Sequence, residues 1–267
     1  MVRQPAVAGQ FYADEPKRLR GDLQRMVPAD AVRRHVMGIV APHAGYVYSG
    51  GVAGAIYGAV EIPRTVVILG PNHHGFGAAA AVYPEGEWLT PLGSVSVDSR
   101  LAALVQKHVP FTEADPAAHR FEHSLEVQVP FLHYCRSDVT IVPICLSFID
   151  YERCKLLGEG LAGAIKELGQ DVLIVASSDM THYESADAAR AKDELAIAEV
   201  LALNPEGLLR VCRKKNITMC GVIPATVMLV AAKALGVAKA ELVRYATSGD
   251  VTGDNRQVVA YAAIAVY

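Results

Sequence analysis

The amino-acid sequence predicts an α/β fold, a single three-layer α/β/α domain built on an open sheet. Strand-like apolar runs alternate along the chain with segments of helical spacing, as in proteins whose helices connect neighbouring strands. The central runs are almost continuously apolar, which is typical of strands covered on both faces. Short polar clusters follow three of these runs, where an open sheet carries its ligand-binding loops.

Six segments have the composition of strands. They cover residues 37–41, 65–69, 139–147, 172–176, 241–246 and 258–266. The alternation by itself leaves the order of these strands in the sheet open.

Helices are predicted between the strands from capping residues and apolar periodicity. Asp14, Glu15 and Pro16 begin a helix over 17–27 with a cap and a first-turn proline. Ser49 precedes a helix over 50–60, and Asp98 caps one over 99–109. The later helices are predicted over 123–135, 154–168, 186–203, 205–215 and 224–235.

Composition indicates an ordinary globular protein. The chain has 267 residues, 52% of them hydrophobic, and shows no repeat or long linker, so we expect one domain over 1–267. A formal net charge of -3 without a basic stripe argues against nucleic-acid binding, and the Arg213–Lys215 run is interpreted as a solvated face or a helix end. No apolar stretch reaches a membrane span and no signal-peptide core is present, which predicts a cytoplasmic protein without membrane contact.

Histidines and an aspartate occupy the three polar clusters. His43 follows the run MGIVA, His73 and His74 follow TVVILG, and Asp179 and His182 follow DVLIVAS. Because loops beyond the carboxyl ends of strands converge on one crevice, we expect these side chains to meet there. Asp179 is three residues from His182, a spacing at which a carboxylate can fix the tautomer of an imidazole.

Cys220 adds a thiol to these clusters. It precedes an apolar helical run with Pro224 in the first turn, and the helix dipole there favours thiolate, the form that binds metal. The five cysteines are an odd number without C-x-x-C spacing, which argues against a disulfide framework and a structural zinc finger.

Two weaker patterns leave alternatives open. His119, Glu122, His123 and Glu126 have the spacing of a metal site on one helical face, although a capped helix start explains them equally well. Ser177 and Ser178 near Asp179 and His182 suggest a hydrolytic triad, but no G-x-S-x-G elbow is present.

Seven segments together resemble one known family. In chain order they are AVAGQFY, APHAGYVYSG, ILGPNHHG, EHSLEVQVPFL, SSDMTHYE, TMCGVIPATVML and YATSGDVTGD. The chain is identified by them as a member of the Memo family, whose prokaryotic members are called AmmeMemoRadiSam system protein B. That family is similar to the class III extradiol dioxygenases, and this similarity implies the α/β/α fold already predicted.

The resemblance also implies a metal site. Its ligands would be His43, His73 and Cys220, with His73 preferred over His74 by family position alone. Non-haem Fe(II) is the implied metal; a thiolate in place of the dioxygenases' glutamate also admits copper or zinc. His182 matches the pocket acid or base with Asp179 beside it, and supporting positions around the ligands are implied for His74, His123 and Glu126.

Three functions are compatible with these features. The first is a metal-dependent redox enzyme with a dioxygenase-like pocket, in which His182 moves a proton. The alternatives are a metal-handling protein without turnover and an interaction module that binds a peptide or small ligand. The family name implies that genes of this family are associated with those of an AMMECR-type protein and a radical SAM enzyme. The resemblance therefore makes these two the candidate protein partners.

Overall fold

The computed structural model describes all 267 residues and consists of twelve strands and ten α-helices. The strands are β1 Val2–Arg3, β2 Gly38–Ala41, β3 Thr65–Pro71, β4 Ala80–Val82, β5 Glu87–Thr90, β6 Gly93–Val97, β7 Glu113–Ala114, β8 Thr140–Leu146, β9 Val172–Ser177, β10 His182–Glu184, β11 Ala240–Thr247 and β12 Val258–Val266. The helices are α1 Pro16–Met26, α2 Tyr46–Ala59, α3 Ser99–His108, α4 His123–Glu126, α5 Val129–Cys135, α6 Tyr151–Leu168, α7 Ala186–Leu201, α8 Pro205–Lys215, α9 Val222–Ala234 and α10 Gly249–Thr252, with a short 3₁₀ helix at Pro116–His119.

All strands belong to one mixed sheet. Its main path runs β1-β5-β6-β8-β3-β9-β2-β12-β10, while β11 pairs with β12 and β4 pairs with β7 and β8. The four central strands β8, β3, β9 and β2 are parallel to one another. Their carboxyl ends therefore lie along one edge of the sheet, and the loops that follow β3, β9 and β2 are neighbours.

Helices cover both faces of the sheet, which confirms the predicted three-layer α/β/α fold. Along β3, Val67 and Leu69 face a cluster of 43 buried residues that includes side chains of α3, α6, α7, α8 and α9. Val66 and Ile68 face the opposite cluster of 36 buried residues, which draws on α1, α2, α4 and α5. The alternation of side chains along a strand supplies both clusters from the same segment.

The six predicted strands appear as β2, β3, β8, β9, β11 and β12, with ends within two residues of the predictions. Six other strands of two to five residues were not predicted, because such short segments carry little periodicity. Helix α2 begins at Tyr46 rather than after Ser49. The helix predicted over 123–135 is two helices, since Pro130 has no N–H to donate across the break at Val127 and Gln128.

No helix in the structure combines the length and apolar character that crossing a membrane requires.

Candidate metal centre

The loops after β2, β3 and β9 bring the predicted histidines together. The ring centroids of His43 and His73 are 5.3 Å apart, and the rings meet edge to face. His43 is buried, while the side chain of His73 is 31% exposed and borders the crevice. The meeting of side chains 30 residues apart in sequence follows from the parallel arrangement of their strands.

A third imidazole, from His123 at the start of α4, completes the cluster. The His123 ring stacks on His73 with centroids 4.6 Å apart and meets His43 edge to face at 5.4 Å. Potential ligand atoms of His43, His73 and His123 all lie within 4.8 Å of one another. Three imidazole nitrogens grouped in this way could hold a transition-metal ion.

Hydrogen bonds determine the tautomer of His43. Ser177 Oγ lies 2.7 Å from the carbonyl oxygen of Ser124, so its single proton is donated there. Gln128 Nε2 donates to the same hydroxyl at 2.8 Å, and His43 Nδ1 lies 2.9 Å from it. Because the hydroxyl proton is already used, His43 Nδ1 must carry a proton and donate to Ser177. His43 Nε2 therefore keeps a free lone pair.

Glu122 performs the same role for His73. Its buried carboxylate lies 2.8 Å from His73 Nδ1 and also accepts from the backbone N–H groups of His73 and Ser124. Although burial alone raises the pKa of Glu122, the hydrogen bonds with His73 and these N–H groups hold it below its usual range. A carboxylate on Nδ1 orients an imidazole toward metal and leaves Nε2 free.

Burial lowers the pKa of two of the imidazoles, those of His43 and His123. The pKa of His43 is lowered well below its ordinary value by desolvation and then by the neighbouring His123 and His73 rings. Desolvation lowers the pKa of His123 to about 4. Neutral imidazole is the form that binds metal, so at neutral pH these two rings do not have to release a proton before metal binds.

Cys220 lies beside His43. Its Sγ is 3.2 Å from His43 Nε2 and accepts a hydrogen bond from the Asp179 N–H at 3.2 Å. It falls outside the group of three imidazoles defined by the 4.8 Å separations. Burial, together with the nearby Asp179 carboxylate, raises the pKa of Cys220, so the metal-free protein holds a thiol. The ready-made thiolate expected from the helix dipole is not found, since α9 begins two residues later and desolvation dominates.

Asp179 and His182 line the same cavity, but no hydrogen bond joins them. His182 Nδ1 lies 3.1 Å from the Thr218 carbonyl oxygen, and the backbone N–H of His182 donates to Thr218 Oγ1. The loop before Cys220 therefore orients this ring. Asp179 instead accepts from the His43 backbone N–H at 2.8 Å, because the chain turns toward β2 after β9. Burial raises the pKa of Asp179 to about 6.

Two cavities adjoin the imidazoles from different sides. One of about 560 Å³ is lined by His123, Asp179 and His182. Another of about 180 Å³ is lined by His73 and Cys220. His73, His123, Cys220 and His182 therefore border space that a small molecule can occupy.

The two remaining predicted residues, His74 and Glu126, lie in different surroundings. His74 is exposed, stacks on Phe76 with centroids 6.1 Å apart, and belongs to a second group of potential ligands with Glu122 and His123. Glu126 forms no hydrogen bond with any of these imidazoles. Its carboxylate binds four groups of the amino-terminal segment, namely Arg3 Nη1, the N–H groups of Ala6 and Val7, and Tyr12 Oη.

Sequence reasoning underrated Glu122 and Ser177. Glu122 belonged to a helical-face pattern that a capped helix start explained equally well, and the structure shows that it does cap α4. Its contact with His73 spans 49 residues and that of Ser177 with His43 spans 134. The helical-face spacing was the available signal for Glu122, and it did not point to His73.

Comparisons with known proteins agree with this architecture. A family model described as Memo-like protein matches residues 3–265. A MEMO1 family protein of Aquifex aeolicus is 46% identical, with 97% of each chain aligned. Another from Methanopyrus kandleri is 42% identical over 99% of this chain and 98% of that protein. The crystal structure of an uncharacterized Escherichia coli K12 protein has a similar fold, with a TM-score of 0.53 and 15% identity over 85% of this chain and 99% of that chain.

Proposed function

This chain belongs to the Memo family, and from that premise we propose that it binds one divalent metal ion, with Fe(II) as the resident ion, and uses it in redox chemistry on a small molecule. The observation that carries the proposal is the group of three imidazoles whose potential ligand atoms lie within 4.8 Å of one another. The hydrogen bonds at Nδ1 of His43 and His73 leave Nε2 of both rings available.

The proposed ligands are His43, His73 and His123, with Cys220 as a fourth after it loses its proton. The 3.2 Å from Cys220 Sγ to His43 Nε2 is short enough for one metal ion to bind both atoms. A bound cation also offsets the burial that disfavours thiolate. Imidazole suits iron, and one sulfur ligand also admits copper or zinc, so these are the competing ions.

The residues around the cluster would control a proton. A bound metal would supply Lewis acidity and, for iron or copper, a change of oxidation state. His182 donates from Nδ1 to the Thr218 carbonyl, which leaves Nε2 as the basic atom on the cavity it shares with Asp179. His182 would then take a proton from a ligand in that cavity. Asp179 would hold the His43 loop in place through its backbone hydrogen bond.

Metal analysis of alanine variants tests the ligand set. Metal-free protein is reconstituted anaerobically with Fe(II), Cu(I) or Zn(II), and stoichiometry and affinity are measured. We expect about one ion per chain and severe loss in the His43→Ala and His73→Ala proteins, with loss of roughly 10- to 100-fold for His123→Ala and Cys220→Ala. His35→Ala removes an exposed imidazole, 61% accessible, and is the matched control.

The variants also test His123 and Cys220 separately as ligands. If Cys220→Ala binds metal like the wild type, the thiolate is not a ligand; if His123→Ala does so, the three-imidazole site is wrong. If His74→Ala loses metal while His73→Ala keeps it, the choice between these neighbours is reversed. Stoichiometry far below one for every ion in the wild type would refute the metal site.

Oxygen consumption distinguishes the enzyme from a metal-handling protein. The iron-loaded wild type is screened with small reductants, at equal metal content with the His182→Ala protein. Substrate-dependent uptake by the wild type supports the redox proposal. Stoichiometric metal binding without uptake in the whole screen would favour the non-catalytic alternative.

A further inference from the structure

A second large cavity lies outside the metal centre, between α8 and the loop from β8 to α6. Its volume is about 890 Å³, within the range of small-molecule sites. Apolar side chains make most of its surface, including Leu209, Ile217 and Val222. Phe148 forms one wall with 80% of its surface exposed, although large aromatic side chains are normally covered. We refer to this cavity as the α8 groove.

Cations without partners border the α8 groove. Arg210, Arg213 and Lys214 line it and are exposed, and none makes an ion pair or a side-chain hydrogen bond within the chain. Two acidic residues also line the groove but pair with none of these cations: Asp150 caps α6 by accepting from the Arg153 N–H, and Glu206 forms no ion pair. The basic run in the last turn of α8, predicted to be a solvated face or a helix end, therefore borders an apolar cavity.

The inner end of the α8 groove reaches the metal centre. Phe148 and Val222 line both the groove and the 180 Å³ cavity that contains His73 and Cys220. The three cations line only the groove. An occupant with its anionic group at Arg210 and Arg213 would therefore extend its apolar part toward Phe148. The cavity beside His182 has no lysine or arginine in its lining and offers no such anion site.

We propose that the α8 groove binds an amphiphilic carboxylate, with its hydrocarbon chain on Phe148, Leu209 and Val222 and its carboxylate on Arg210 and Arg213. Burial of the chain supplies most of the affinity, and charge-assisted hydrogen bonds from guanidinium groups select the anionic head. Guanidinium groups can bind a carboxylate through two parallel hydrogen bonds, which ammonium groups cannot. This site uses none of the proposed metal ligands, so binding does not require metal.

Calorimetric titration of the metal-free full-length protein with sodium laurate, below its micelle concentration, tests the proposal. We expect saturable binding of one laurate per chain, and about tenfold weaker binding of decanoate because two buried methylene groups are removed. The Arg210→Ala/Arg213→Ala protein should bind laurate at least tenfold more weakly, and Phe148→Ala should also weaken it. Lys155→Ala removes an exposed cation outside the groove and should leave the affinity unchanged.

Three results would overturn the proposal. The first is no saturable binding of laurate by the wild type. The second is equal affinity for laurate in the double arginine variant and in Lys155→Ala, or binding of dodecyltrimethylammonium to the wild type as tightly as laurate. Either result would show that the cations do not select the head group. The third is a wild-type dimer that Phe148→Ala converts to a monomer without laurate binding in either protein, which would make the groove an interface between two copies of this chain.

Discussion

Replacement of Ser177 by alanine tests whether the hydroxyl determines the tautomer of His43. The hydroxyl makes three hydrogen bonds, to Ser124 O at 2.7 Å, from Gln128 Nε2 at 2.8 Å and with His43 Nδ1 at 2.9 Å. Ser177 is fully buried, so water cannot replace the lost partners without entering the core. Without the hydroxyl, His43 can place its proton on Nε2, the atom proposed to bind metal.

The magnitude follows from the three contacts. At about 1 kcal/mol for each hydrogen bond, the Ser177→Ala protein should lose about 3 kcal/mol of unfolding free energy. A chain of this size would then melt roughly 6–12 °C lower. Loss of a partner that orients a ligand imidazole typically lowers metal affinity by about 10- to 100-fold.

Thermal unfolding of the metal-free protein and metal titration of the folded protein measure the two effects separately. Ser49→Ala is the control, since its buried hydroxyl makes one hydrogen bond to the Ala44 carbonyl and contacts no imidazole. That variant should be destabilised less and should bind metal normally. If Ser177→Ala loses stability but binds metal within twofold of the wild type, the hydroxyl supports the core and does not orient His43 for metal.

Three further predictions concern the groups around the imidazoles. The pKa of Asp179 is about 6 in the folded protein against an ordinary value of 3.8, so the folded state binds a proton that the unfolded state has released between these values. The metal-free wild type should therefore lose up to about 3 kcal/mol of unfolding free energy relative to Asp179→Asn as pH rises from about 4 to 6, and a pH-independent difference in denaturant unfolding would contradict this. Glu126→Ala leaves Arg3 buried without its partner, so it should cost about 4 kcal/mol of unfolding free energy and leave metal affinity unchanged. Glu122→Ala should instead lower metal affinity by about 10- to 100-fold, and equal metal affinities in the two variants would refute the different roles assigned to the two carboxylates. His182→Ala should retain metal but lose oxygen uptake by about 10²–10⁴-fold at equal metal content, and loss of metal instead would make His182 a ligand.

Local patterns in the sequence were sufficient for the layers of the fold and for the convergence of the histidines. Continuous apolar runs identified the central strands, because strands buried on both faces must be apolar throughout. His43 and His73 directly follow two such runs, and the geometry of parallel strands places both at one edge of the sheet. Capping residues located helix starts well where a side chain accepts from the first turn, as at Asp98, and failed at α2, which begins at Tyr46 after Gly45, a residue with no side chain to cap it.

Only the tertiary structure decided how these side chains are oriented and which of them share protons. His123 joins the cluster because Pro130 ends the continuous helix and α4 is held separately against β3. The partners of His43, His73 and His182 are 134, 49 and 36 residues away, respectively. Hydrogen bonds have short range and strict direction, so a spacing of three residues between Asp179 and His182 carries no information about them. The protonation of Cys220 was likewise decided by burial, which depends on every segment packed around the thiol and not on its place before a helix.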